Sequence, residues 1–158
     1  MNLLLSLGIS IGVLAGVWTA MSVVLGWSTW CGFAAWATFY AAGGKEDGLK
    51  KALLSNLSGV LWGIVMIQIT NILTPMVGGT AALSIGVAIG AFAMCLQANI
   101  SLLAFIPGAF IGAAIYFGSG DAITAVIGLV AGALFGYVSE KGSNLLMGKE
   151  EEKVSEQS

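Results

Sequence analysis

Histidine and arginine are missing from this 158-residue chain, and charged residues of any kind make up only 9% of it. Without imidazole there is no histidine base and no histidine metal ligand. The two cysteines, Cys31 and Cys95, do not make a zinc or haem site alone. Both lie in apolar segments, which predicts buried thiols and no disulfide. No carboxylate interrupts an apolar segment, so the usual mark of proton coupling or cation binding inside a membrane is missing. No GxxxxGK[ST] phosphate loop occurs either. The expectation is a protein that is not an enzyme, carries no cofactor or metal, and has no nucleic-acid partner. A soluble domain needs roughly a quarter of its residues charged to solvate its surface. Six lysines and eight acids cannot do that for a chain 58% hydrophobic, so its solvent must be lipid.

What is present is a series of apolar segments separated by short polar breaks. Segment one, about Leu3 to Val24, has Gly8, Gly12 and Gly16 at every fourth residue, a face that admits a neighbouring helix. Its start lacks the basic residues of a signal peptide and its apolar run is too long for one, which predicts a retained span. Segment two, about Trp27 to Ala42, is the aromatic stretch containing Trp27, Trp30, Phe33, Trp36, Phe39 and Tyr40. It is near the lower length limit of roughly 17 residues for a span, so a re-entrant segment over 27–43 is the alternative. A charged loop, Lys45 to Lys51, follows. Segment three, about Leu53 to Leu73, carries Asn56, Ser58, Gly59, Gly63 and Gln68, and ends at a turn expected over Thr74–Gly79. Segment four, about Ala81 to Leu96, has Gly86 and Gly90. Segment five, about Ile100 to Phe117, contains Pro107, where a kink is expected. Segment six, about Ala122 to Val138, carries Gly128, Gly132 and Gly136, with Asp121 as its expected N-cap. A polar tail occupies 141–158, and its last ten residues read as disordered.

The halves resemble each other. Ser10–Val13 matches Ser84–Val87 at an offset of 74, Phe33–Gly43 matches Phe110–Gly120 at 77, and Gly59–Gly63 matches Gly132–Gly136 at 73. Three segments per unit is an odd number, so the second unit would enter the membrane from the opposite side. Lysine placement leads to the same parity: Lys45, Lys50 and Lys51 are separated by four segments from Lys141, Lys149 and Lys153. Both groups are then cytoplasmic, as are both termini. The expected fold is an all-α membrane domain over 1–140, six helices in two inverted three-helix repeats (about 3–73 and 80–140), followed by a cytoplasmic tail.

The interior polar residues are neutral. An amide in hydrocarbon must find a partner, so Asn56 and Gln68 stand out, twelve residues apart and expected on broadly similar sides of one helix. Ser10 and Ser84 join them as candidates for a solute path, and Trp36 and Phe39 as candidates for a constriction. The glycines Gly8, Gly12, Gly16, Gly59, Gly63, Gly86, Gly90, Gly128, Gly132 and Gly136 are read as helix-packing positions.

With the SIGVLAGVW run, the GFAAWATFYAAGG stretch and the GVLWG segment in view, the chain resembles the YcdZ/YahC-like family of small bacterial inner-membrane proteins over about residues 3 to 140. That resemblance implies a multi-span inner-membrane protein and supplies no substrate or functional residue. The functional expectation is a channel or facilitator for a small neutral or weakly ionised solute, working as a homo-oligomer in the lipid bilayer. The alternatives are a non-transporting membrane scaffold and, third, a Na⁺-coupled small-solute transporter.

Overall fold

Helix ends in this chain are set by glycine and by a few capping side chains. The computed structural model describes residues 2–156, with side chains described through residue 148. In chain order the helices are α1 (Leu3–Leu25), α2 (Thr29–Ala41), α3 (Lys45–Val77), α4 (Gly79–Leu96), α5 (Ile106–Ser119) and α6 (Ala122–Glu156). Two 3₁₀ turns, Gln97–Asn99 and Ser101–Leu103, bridge α4 and α5. The Asn2 side chain caps α1 by accepting the Leu5 N–H at 2.8 Å. Asp121 accepts the Thr124 N–H at 2.7 Å, the expected N-cap of α6, and that hydrogen bond holds its carboxyl below the ordinary value. Gly43 and Gly44, at φ 101° and 65°, make a turn that L side chains disfavour.

Several boundaries differ from the sequence expectation. The charged stretch Lys45–Lys51 is no loop: Glu46 and Asp47 occupy the first turn of α3, where acidic side chains suit the helix dipole. Pro75 lies inside α3, close enough to its end that helix continues to Val77, and the break narrows to Gly78 at φ 83°. Pro107 does not kink a helix. It opens α5, where its missing N–H costs nothing, and the expected segment from Ile100 is instead a 3₁₀ link followed by a shorter helix. Beyond Val138, α6 continues through nearly all of the expected tail to Glu156, so that residues 149–156, read from sequence as disordered, are helical; the side chains from 149 onward and residues 157–158 lie outside the described residues.

Among the described residues, four helices are long and apolar enough to cross a membrane: Leu3–Leu25, Lys45–Val77, Gly79–Asn99 and Ala122–Gly148. The other two, α2 with 13 residues and α5 with 14, extend about 20 Å at 1.5 Å per residue, short of a hydrocarbon core of about 30 Å. Side chains such as Leu4, Val24 and Met76 are three-quarters or more exposed, as expected of a surface solvated by lipid.

The short helices are held between the long ones by close glycine contacts. A Cβ on Gly59 would strike the Ala109 carbonyl oxygen, and one on Gly132 would strike that of Gly32. Gly63 lies against Tyr116 and Gly136 against Phe39; Gly108 meets Ser55, and Gly128 meets Cys31. Residue numbers rise together in these contacts, so α3 runs parallel to α5 and α6 parallel to α2. Gly86 and Gly90 seat α4 antiparallel on Met66 and Thr70 of α3, and α1 lies antiparallel to α6, with Ser10 beside Ser139 and Trp18 beside Phe135. The buried face of α1 (Ser6, Ser10, Trp18, Ser22) coincides with that of α4 (Ala82, Gly86, Gly90, Met94) at an offset of 76, not 74. The SIGV match is therefore two residues out of packing register, about 200° around a helix. As a result Gly8, Gly12 and Gly16 face outward with nothing within 4 Å, and their expected packing role is unfilled within the protomer.

Alanine at Gly59 or Gly132 overpacks a backbone contact and is expected to cost about 1–3 kcal/mol. Alanine at Gly12, in open space, should be neutral or slightly stabilising. Unfolding of the purified variants in mixed micelles checks both, and equal effects at Gly59 and Gly12 would contradict the packing described.

Candidate functional site

Interior polar atoms collect in three places. The first is centred on Ser139 of α6. Its hydroxyl accepts the Trp36 indole N–H at 3.1 Å, lies 2.7 Å from the Tyr40 hydroxyl, and donates to the Gly136 carbonyl at 2.6 Å. Its carbonyl accepts the Ser10 hydroxyl at 2.8 Å. One serine thus ties α1, α2 and α6 together. Phe39 is fully buried against Gly136, with its ring edge-on to Tyr40 and Tyr137, while Trp36 stacks on Phe33 and meets Phe135 at a tilt. Ser10, Trp36 and Phe39 are accordingly satisfied packing residues of one network.

The second lies where α4 breaks. Gln97 accepts the Trp62 indole N–H at 2.9 Å and donates to the Ser58 hydroxyl at 3.1 Å, and Ser58 donates to the Ser55 carbonyl at 2.8 Å. Gln97 therefore clamps the chain onto α3 at the point where α4 ends.

The third is unsatisfied. Ser55 and Asn56 are fully buried, and the Ser55 hydroxyl and both amide atoms of Asn56 have no hydrogen-bond partner among the described residues; elsewhere, on α6, the buried Ser143 hydroxyl is unpaired too. They lie against α5, where glycine removes side-chain bulk: Gly108 touches Ser55, and Gly112 touches the Asn56 backbone. Phe105 packs on the same face of Gly108, beside Ser55. Phe105 also lines two adjoining cavities. One of about 270 Å³ lies between α2 and α5 beside Thr38 and Pro107, and one of about 220 Å³ is bordered by Lys51, Ser101 and Ala104. A third, of about 420 Å³, is an apolar groove between α1 and α6 near Ser10 and Gly142.

The remaining predicted path residues do not converge on Asn56. Gln68 is exposed, because twelve residues leave it about 120° around α3 from Asn56. Ser84 is exposed too and bonds the Thr80 carbonyl of its own helix at 2.9 Å. Ser139, Ser55, Gln97 and Phe105 escaped sequence reading. The serines are two hydroxyls among many, Gln97 reads as a surface break, and Phe105 matters only through the position of α5.

At the end where α3 begins, Glu140 of α6 accepts the Lys45 N–H at 2.6 Å, supplying a cap to a helix whose own N-cap is glycine. Lys45 holds a positive φ of 57° there, a strained state for a side-chain-bearing residue that this bond helps to hold. Lys141 sits 5.3 Å over the Tyr137 ring at the same end.

Four span-length apolar helices, with neutral polar atoms sealed between them, define a helical membrane protein. Residues 8–144 match the family described as "Protein of unknown function (DUF1097)", and the chain belongs to that family. It is 36% identical over 156 residues to inner membrane protein YcdZ of Salmonella typhimurium, covering 96% of this chain and 94% of that protein. It is 39% identical over 141 residues to inner membrane protein YcdZ of Escherichia coli, covering 87% and 83%. With the uncharacterized protein YahC of Escherichia coli the identity is 34% over 155 residues, covering 92% and 94%. No solved structure matches.

Removing the Ser139 hydroxyl strands the Trp36 N–H and the Tyr40 hydroxyl in a buried site. Ser139→Ala is expected to destabilise by about 1–3 kcal/mol. Chemical unfolding followed by tryptophan fluorescence tests this, and an unchanged midpoint would remove Ser139 from the centre of that network.

Proposed function

We propose that this chain is a multi-pass inner-membrane protein of two inverted halves, and that it facilitates passage of a small uncharged polar solute. The inner-membrane assignment draws on the YcdZ relatives and on the four span-length helices. Support for the inverted halves comes from the contacts. Gly59 on Ala109 has its counterpart in Gly132 on Gly32, Gly63 on Tyr116 in Gly136 on Phe39, and Ser55 on Gly108 in Gly128 on Cys31. In each case the long-helix residues are 73 apart and the short-helix residues 77 apart. Successive helices alternate in direction, so on this reading α2 and α5 pass through the thin middle of the protein and six passes result. Lys45 and Glu140 meet at one end, where α1 starts and Lys141 lies. By the positive-inside rule that end is cytoplasmic, together with both termini.

The observation that carries the facilitator reading is Asn56. Its counterpart across the repeat, 73 residues on, is Leu129, fully buried in the core formed with Cys31, Ala35, Val60 and Ile115. A leucine meets the packing requirement there, whereas a buried amide with neither atom paired costs about 1–3 kcal/mol for each unmet group. A polar path accounts for such a cost.

A second reading, a homo-oligomer or scaffold held through helix faces, is favoured by the outward Gly8, Gly12 and Gly16 of α1.

Liposomes containing the purified protein should admit at least one small neutral solute faster than empty vesicles in a stopped-flow osmotic assay. Uptake at background for every solute of a broad panel would overturn the facilitator reading and leave the scaffold.

A further inference from the structure

The chemistry of Ser55 and Asn56 narrows the solute, on the facilitator reading just given. Asn56 offers an acceptor and a donor side by side on one planar group, both unpaired, and the Ser55 hydroxyl adds a third unpaired atom on the next residue. The complement of a free carboxamide is another planar group carrying donor and acceptor on adjacent atoms, joined through two parallel hydrogen bonds. A primary amide or a urea has that form. A carboxylate at neutral pH has no donor and brings a charge that no cation among Ser55, Asn56, Ser58 and Gln97 offsets. A polyol lacks the planar pair. We infer that Ser55 and Asn56 form a recognition site for small carboxamide-type solutes, reached from the Lys51 end past Phe105.

The route follows from what touches what. A Cβ at Gly108 would meet Ser55 and the Phe105 ring together, so the two lie side by side, and Phe105 in turn lines both cavities, one of them bordered by Lys51 and Ser101. Both polar residues are sealed in this structure by α5, which packs directly on them at Gly108 and Gly112, so it corresponds to a closed arrangement. Admitting a solute then requires α5 to shift from α3 at these glycines together with movement of the Phe105 ring.

The test uses the full chain in liposomes, with formamide, acetamide and urea against glycerol, acetate and water. Amides and urea are expected to enter well above the empty-vesicle rate, with glycerol and acetate at background. Asn56→Leu, which installs the residue type found at 129, is expected to cut amide entry about tenfold, the loss of roughly one hydrogen bond. Its thermal stability should equal or exceed that of the parent, because unmet polar atoms are removed. Phe105→Ala is expected to speed amide entry. Glycerol or acetate passing as readily as amides would overturn the solute class while leaving the facilitator. A rise in water flux alone would assign the pair to water. Asn56→Leu that unfolds at lower temperature yet keeps amide entry would show a structural amide and overturn the site. An unchanged Phe105→Ala rate would overturn the route. No flux of any solute would bring down the facilitator reading with it.

Discussion

Backbone-to-backbone approach at glycine is the constraint on which this fold depends. In lipid, helices gain little from hiding apolar side chains from one another, because the surrounding tails are equally apolar. Association must come from close packing. Here it is concentrated where Gly59 meets the Ala109 carbonyl and Gly132 meets that of Gly32. Those contacts place each short helix against a long one, α5 on α3 and α2 on α6. The first three helices and the last three are thus interlocked, not laid side by side. Small residues at these points also explain how 13- and 14-residue helices can sit among much longer ones.

That packing governs where polar groups go. Trp36, Tyr40 and Ser10 all reach Ser139 because α2 and α1 lie on the same stretch of α6. Gln97 holds the end of α4 to α3 through Trp62 and Ser58. Against these satisfied groups, and beside the single unpaired hydroxyl of Ser143, Asn56 is the residue with both polar side-chain atoms buried and unpaired among the described residues, where a leucine like that at 129 would meet the packing requirement alone. The cost of such a pair is small beside the whole fold, yet large enough to ask for a reason in its use.

Much of the architecture is legible in the residues. Lipid as solvent follows from the scarcity of charge, and the aromatic and GVLWG blocks lead to pairs of positions that the contacts repeat at 77 and 73. The N-cap role of Asp121 follows from its place before an apolar run. Other features are hidden because helix rotation is a tertiary choice. The SIGV match directs attention to Ser84 and to Gly8, Gly12 and Gly16, but α1 presents a face two residues away, with Ser6 and Ser10 inward. Gln68 shares a helix with Asn56 and still faces out. Proline misleads in both places for different reasons: Pro107 opens α5, where its missing N–H is one of the orphan donors, whereas Pro75 forfeits one i→i−4 bond only two residues before α3 ends at Val77.

The account stands on α2 crossing from one side of the membrane to the other, so that each half makes three passes and the second faces the opposite way. Ser28 and Ala42, which flank α2 at ordinary negative φ, probe this directly. Single-cysteine versions, Ser28→Cys and Ala42→Cys in a background with Cys31 and Cys95 replaced, are labelled with an impermeant thiol reagent in right-side-out and inverted vesicles. Labelling of residue 28 only from outside and of residue 42 only from the cytoplasmic side is the predicted result. Labelling of both from one side would contradict the inverted arrangement.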